Sequence, residues 1–125
     1  MYHIYDFWHG EYLGMYKEGI HLDLKPCETR LLSVRKAVST PQVVSTSRHI
    51  TQGALEIEKL EFANKTLSME CNLVANDLYR VSLYVPDGYD IADAGKFEVV
   101  SFQNNVAVLE FVPTKTDKYS FKIEF

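Results

Sequence analysis

A chain of 125 residues, 46% hydrophobic and 24% charged, is long enough to bury its own core as one domain and has globular composition, which excludes a disordered chain. Its formal net charge is −4 and its 13 Lys and Arg residues are scattered, so it lacks the electrostatic footprint of a nucleic-acid binder. No apolar run approaches the ~18 residues of a membrane span.

The chain opens directly in strand-like sequence, without the basic start and apolar block of a secretory signal, as expected of a domain excised from a longer protein with Met1 added. Tyr2 to Trp8 is aromatic and β-branched and reads as a strand, with Tyr2, Ile4 and Asp6 on one face and His3, Tyr5 and Phe7 on the other. Gly10 and Gly14 punctuate the next strand, Glu11 to Tyr16. Lys17-Glu18-Gly19 is a hairpin turn into Ile20 to Leu24, a period-two strand that Lys25-Pro26 stops. Thr29 to Arg35 follows as another strand.

Residues 37–53 form a joint. An apolar Val43-Val44 pair after Pro41 gives way to the hydroxyls Ser45, Thr46 and Ser47, then to Arg48-His49, and Gly53 opens a regular succession of strands. Leu55 and Ile57 fall on one parity and Leu60 and Phe62 on the other, so a one-residue bulge near Glu58-Lys59 is needed to bring all four inside. Asn64-Lys65 is a turn, and Asn64-Lys65-Thr66 is a glycosylation sequon that has meaning in a secreting eukaryote. Leu67, Met69, Cys71 and Leu73 then alternate with Thr66, Ser68, Glu70 and Asn72 as a half-buried strand. Asn76-Asp77 turns into Leu78 to Val85, bulky on both faces as in a central strand. A loop from Pro86 to Gly95 leads to Phe97–Phe102 and Val106–Val112, strands flanking the two-residue turn Asn104-Asn105. Tyr119, Phe121, Ile123 and Phe125 alternate in the last strand.

About nine strands and no convincing helical period indicate an all-β fold, an antiparallel β-sandwich of Greek-key or jelly-roll type. It is expected as a single domain over 1–125, with 1–36 supplying N-terminal strands and 37–53 joining them to 54–125. Cys27 and Cys71, the only cysteines, have no second pair with which to form a metal site or disulfide framework, and each reads as a small buried apolar residue.

The chemistry-bearing residues are spread thinly. Serines and histidines occur, but no Gly-x-Ser-x-Gly elbow does, and most Asp and Glu take outward strand positions, so no catalytic constellation is assigned. Asp87, Asp90 and Asp93 cluster without the ligand series of a calcium loop, and His3, His9 and His21 are dispersed, so no metal and no cofactor is expected. Arg48 and His49, beside hydroxyl side chains, could bind an anion or sugar, although a buried polar junction accounts for the same composition. Among the exposed-ring candidates, Trp8, Tyr79, Tyr84 and Tyr89 would form a sugar-stacking platform, although at 13% aromatic most rings must pack inside.

Asp6-Phe7-Trp8, Leu13-Gly14, Ile20-His21-Leu22-Asp23-Leu24-Lys25-Pro26 and Arg30-Leu31-Leu32-Ser33-Val34 together resemble the start of the C-terminal β-sandwich domain of α-galactosidase-like (melibiase-type) glycoside hydrolases. The run Ser45 to Gly53 is similar to bacterial relatives with an enlarged version of that domain, while the second half matches only as generic strands. The resemblance implies a non-catalytic domain packed against a catalytic (β/α) barrel of the same, exported, parent chain. The family's catalytic aspartates lie on that barrel, and none carries over here. A docking role predicts a broad apolar patch of several hundred Å² near Trp8, Phe7 and Arg48-His49. The alternative, a carbohydrate-binding module, predicts coplanar rings rimmed by hydrogen-bonding groups.

Overall fold

The computed structural model of the chain describes residues 1–125 and contains ten strands and no helix. The strands are β1 (Tyr2–Asp6), β2 (Glu11–Tyr16), β3 (Leu32–Lys36), β4 (Gln42–Thr46), β5 (Ile57–Ala63), β6 (Thr66–Leu73), β7 (Tyr79–Tyr84), β8 (Glu98–Gln103), β9 (Val106–Phe111) and β10 (Asp117–Glu124). They form three antiparallel sheets, ordered β2-β1-β3, β4-β7-β9-β8 and β10-β6-β5.

The last two sheets enclose the core as a sandwich. The alternation of β6 puts Leu67, Met69, Cys71 and Leu73 inside, where they meet Val81 and Leu83 of β7, Ala107 and Leu109 of β9, and Phe121 and Ile123 of β10. Phe97 stacks on Phe121 with ring centroids 4.3 Å apart. Each such side chain contributes about 1.5–3 kcal/mol by leaving water, which makes this sandwich the main source of stability.

Several local expectations are met. The β5–β6 register shifts between Ile57 and Lys59, and the bulge sets Ile57, Leu60 and Phe62 opposite Cys71, Met69 and Leu67 on the inner face. Leu55, expected to join them, instead precedes the strand in a turn and is 75% exposed. Asn104 and Asn105 take φ of 52° and 65°, the paired left-handed geometry whose twist matches a tight hairpin. β7 is covered on both sides over Ser82 to Tyr84, while Arg80 reaches solvent.

Three expectations are corrected. Ile20 to Leu24 is not a strand and lies outside every ladder. Residues 17–20 turn back over the outer face of the small sheet, with Ile20 beside Tyr2, Ile4 and Val34, and the chain rejoins the sheet where Leu31 accepts the Phe7 amide at 2.9 Å. Alternation supplied an amphipathic strip, but a strip laid against the face of a sheet makes no ladder bonds. Second, the joint contains β4, whose consecutive residues Val43, Val44, Ser45 and Thr46 are all buried because the small sheet covers one side and the sandwich the other. A strand buried on both faces shows no alternation. Third, Cys27 is exposed, in the turn after Pro26, where it takes φ 63°.

The small sheet turns its His3, Ser33 and Arg35 face inward. Ser33 Oγ donates to the Val44 carbonyl at 2.8 Å, Arg35 Nη2 donates to the Gln52 carbonyl at 2.6 Å, and His3 packs tilted against Tyr84 with ring centroids 4.4 Å apart. β1 and β4 therefore converge at the joint, which brings the β1–β2 turn beside the loop that follows β4.

Candidate functional site

The joint is built on a buried polar network. Ser45 Oγ donates to Gln52 Oε1 at 2.8 Å, Thr46 Oγ1 to Glu56 Oε2 at 2.6 Å, Tyr79 OH to the same oxygen at 2.9 Å, and the Gly53 amide to Glu56 Oε1 at 3.1 Å. Glu56 is 3% exposed. Gly53 allows this closeness: its φ is +103°, and a Cβ there would meet Ile57 Cδ1 at 3.2 Å and Arg35 Nη2 and Thr46 Cγ2 at 3.3 Å. Burial, then the neighbouring Cys71 thiol and Glu56, drive the Tyr79 phenol far above its usual range, and burial pushes Cys71 up to about 11. Burial also lowers the Arg35 guanidinium, against the opposing pull of Glu56. Every strong acceptor here already has internal donors, so the network is a fastener between sheets.

The polar junction anticipated from the hydroxyl run therefore exists, but Arg48 and His49 are not its centre. Arg48 Nη2 reaches out to the Asn72 carbonyl at 2.5 Å, and His49 is exposed. Glu56 was missed, because a lone glutamate in a short charged stretch resembles a solvated one. The available signal was its position three residues after Gly53, the spacing at which a carboxylate reaches back to a free backbone amide.

Outside the network lies an exposed aromatic cluster. Trp8, 52% exposed, meets His49 edge-on at 5.5 Å and Phe7 at 5.0 Å, and Phe7 lies 6.0 Å from His49. The turn carrying Trp8 is braced from beneath. Fully buried Asp6 accepts the His9 amide at 3.2 Å and Arg30 Nη1 at 2.5 Å, and Arg30 Nε also donates to Glu28 at 2.9 Å. Burial alone would raise the Asp6 carboxyl, but the hydrogen bonds from Arg30 and His9 outweigh it and hold the carboxyl below its ordinary range. The opposing loop is braced as well: the Ser47 amide donates to the Arg80 carbonyl at 2.8 Å, and the Arg80 amide to Ser47 Oγ at 2.9 Å.

Around His49 the surface is indented, with exposed apolar side chains among polar ones. Ile50 (55% exposed), Leu55 (75%) and Leu78 (41%) border it. Two open hollows, about 310 Å³ beside Leu55 and Asn72 and about 240 Å³ beside Asp77 and Leu78, meet at Arg48 and His49. Ile50 holds φ 66°, a left-handed conformation that is strained for a β-branched residue.

The four candidate stacking rings do not come together. Tyr79 is 4% exposed and bound to Glu56. Tyr84 packs with His3 and Tyr12, and Tyr89 with Phe62 and Phe125 at 5.9 and 6.2 Å, so Trp8 alone of the four is more than half exposed. A third hollow, about 180 Å³ between Tyr5, Phe7, Thr46, Ser47, Arg80 and Ser82, offers few free polar groups. Thr46 and Ser47 are committed as above, and Arg80 grips Glu110 through two nitrogens at 2.6 and 2.8 Å. Asp87 accepts from Asn105 Nδ2 and Asp93 from the Gly95 amide, as loop fasteners do. Set beside known proteins, the chain matches no protein family, no curated protein and no solved structure.

Proposed function

We propose that this chain is a non-catalytic β-sandwich domain that docks, through the Trp8–His49 end, on a larger catalytic domain of the kind its N-terminal motifs suggest: the (β/α) barrel of an α-galactosidase-like glycoside hydrolase. The observation that carries the reading is Trp8 itself. A large ring held half in solvent by a buried Asp6–Arg30 pair, in edge contact with Phe7 and His49, is a rigid aromatic anchor of the type that dominates protein interfaces. The strained Ile50 beside it supports the same reading, since left-handed non-glycine residues cluster where a loop is shaped for a partner.

The test is calorimetric titration of the folded chain against galactosides and other plant and host glycans, followed by the same chain fused behind such a barrel. The expected results are no saturable glycan binding, and a fused barrel whose thermal midpoint falls when Trp8→Ala or Leu55→Asp is introduced. Saturable glycan binding abolished by Trp8→Ala would replace docking with a carbohydrate-binding role.

A further inference from the structure

The other unpartnered surface lies at the far edge of the four-stranded sheet. β8 is its last strand, so the backbone groups on its outer edge lack a ladder, and all six residues are exposed. It is also apolar where it should be covered. Val99 and Phe102 pair with Leu109 and Ala107, each 0% exposed, and so point to the core side, yet they remain 43% and 51% exposed. The cause is a mismatch of layers: four strands face three, and β8 overhangs. Beneath the overhang is an open hollow of about 260 Å³ lined by Asp90, Ile91, Val99 and Phe102.

The remaining sandwich edges are protected. β4 abuts the small sheet, β10 is capped at its last residue by backbone bonds between Glu124 and residues 92–93 at 2.7–3.2 Å and carries Asp117, Lys118 and Lys122, and β5 carries Glu58, Lys59 and Glu61. Charges, caps and coverage are the usual devices against unwanted pairing. β8 carries a single charge, Glu98, at its first position.

We propose that β8 is the contact through which two copies of this chain pair, antiparallel and edge to edge about a two-fold axis between Val100 and Ser101. The strand is complementary to itself in that register. Val99 lies opposite the second copy's Phe102, a β-branched–aromatic pair of the favourable kind, and Glu98 lies opposite Gln103, so no like charges meet. The face assignment agrees because of the bulge. The register shift between Val99 and Ser101 puts Val99 and Phe102, three residues apart, on the same core-side face, and Glu98 and Gln103 on the other. A regular strand would set these partners on opposite faces. In the pair, each Phe102 lies over the other copy's overhang, and the hollow beside Ile91 is covered.

The experiment is sedimentation velocity of the whole chain over a concentration series, with near-neutral salt. The expected result is a shift from the 14.4 kDa monomer to a species of twice that mass. Phe102→Lys, at a site half exposed in the monomer, is expected to abolish the shift in a chain whose circular dichroism shows that it remains folded. In a Cys27→Ser background, a mixture of Val99→Cys and Phe102→Cys chains is expected to form an inter-chain disulfide that neither forms alone. A chain that stays monomeric throughout, a dimer that persists in Phe102→Lys, or open-ended polymers would each overturn the proposal.

Discussion

Two single residues set the character of the Trp8 end. Asp6 stabilises as a carboxylate, so the sign follows from its depressed folded value: its contribution is present above the unfolded carboxylate range and is lost as pH falls through the lower folded value. Asp6→Asn leaves Arg30 without its buried partner and is expected to cost about 2 kcal/mol near pH 6. Urea titrations of both chains should then begin to converge as pH falls below about 4, the unfolded carboxylate range, and should meet only below the lower folded value, where the native carboxyl is itself protonated. A deficit that is constant with pH would mean that Asp6 acts by packing alone. Ile50 is the opposite case. Left-handed backbone costs an L-residue about 1–2 kcal/mol, and asparagine tolerates it better. Because Ile50 is more than half exposed, Ile50→Asn sacrifices little burial, and scanning calorimetry is expected to show the midpoint rising by about 4 °C. An unchanged or lower midpoint would place the strain elsewhere.

At the scale of elements, the sequence was legible wherever one face of a strand meets the core and the other meets water. β6 and β10 announce themselves by alternation, the Asn104-Asn105 turn by residues that accept left-handed φ, and the β5 bulge by a change of parity. Legibility failed where that condition fails. β4 is buried on both faces, so its Val43-Val44-Ser45-Thr46 run carries no period and passes for a connector. Ile20 to Leu24 has the period, but Ile20 packs on the face of the small sheet and the segment joins no ladder. The site was half legible for the same reason. The hydroxyl run and Arg48-His49 mark the joint by composition, but which member faces inward depends on Glu56, a residue beyond the run that only the fold brings beneath Thr46 and Tyr79. The contact of Trp8 with His49 spans some forty residues of chain, and no local pattern encodes it.

The whole molecule divides energetically along the same lines. The sandwich rests on a continuous apolar core, whereas the small sheet is fastened to it largely by polar groups: Ser33 on Val44, Arg35 on Gln52, and His3 wedged against Tyr84. His3 is 1% exposed; its Nδ1 shares a hydrogen bond with Tyr12 OH at 2.9 Å, and its Nε2 has no partner. Burial lowers its pKa, only partly opposed by the Gln42 side chain, while burial and the neighbouring tyrosines push Tyr12 up to about 12, so the phenol stays protonated. The unfolded chain therefore takes up the His3 proton first, and the small sheet loses stability as pH falls through about 6.5. The expected outcome is regional: after correction for intrinsic exchange rates, amides of β1 and β2 exchange faster at pH 5 than at pH 7, while those of β6 and β10 do not change. This window lies well above that of Asp6, so the two effects separate on the pH axis. His3→Gln should flatten the pH 5 to 7 response of β1 and β2, and a response that survives the substitution would assign it to another group.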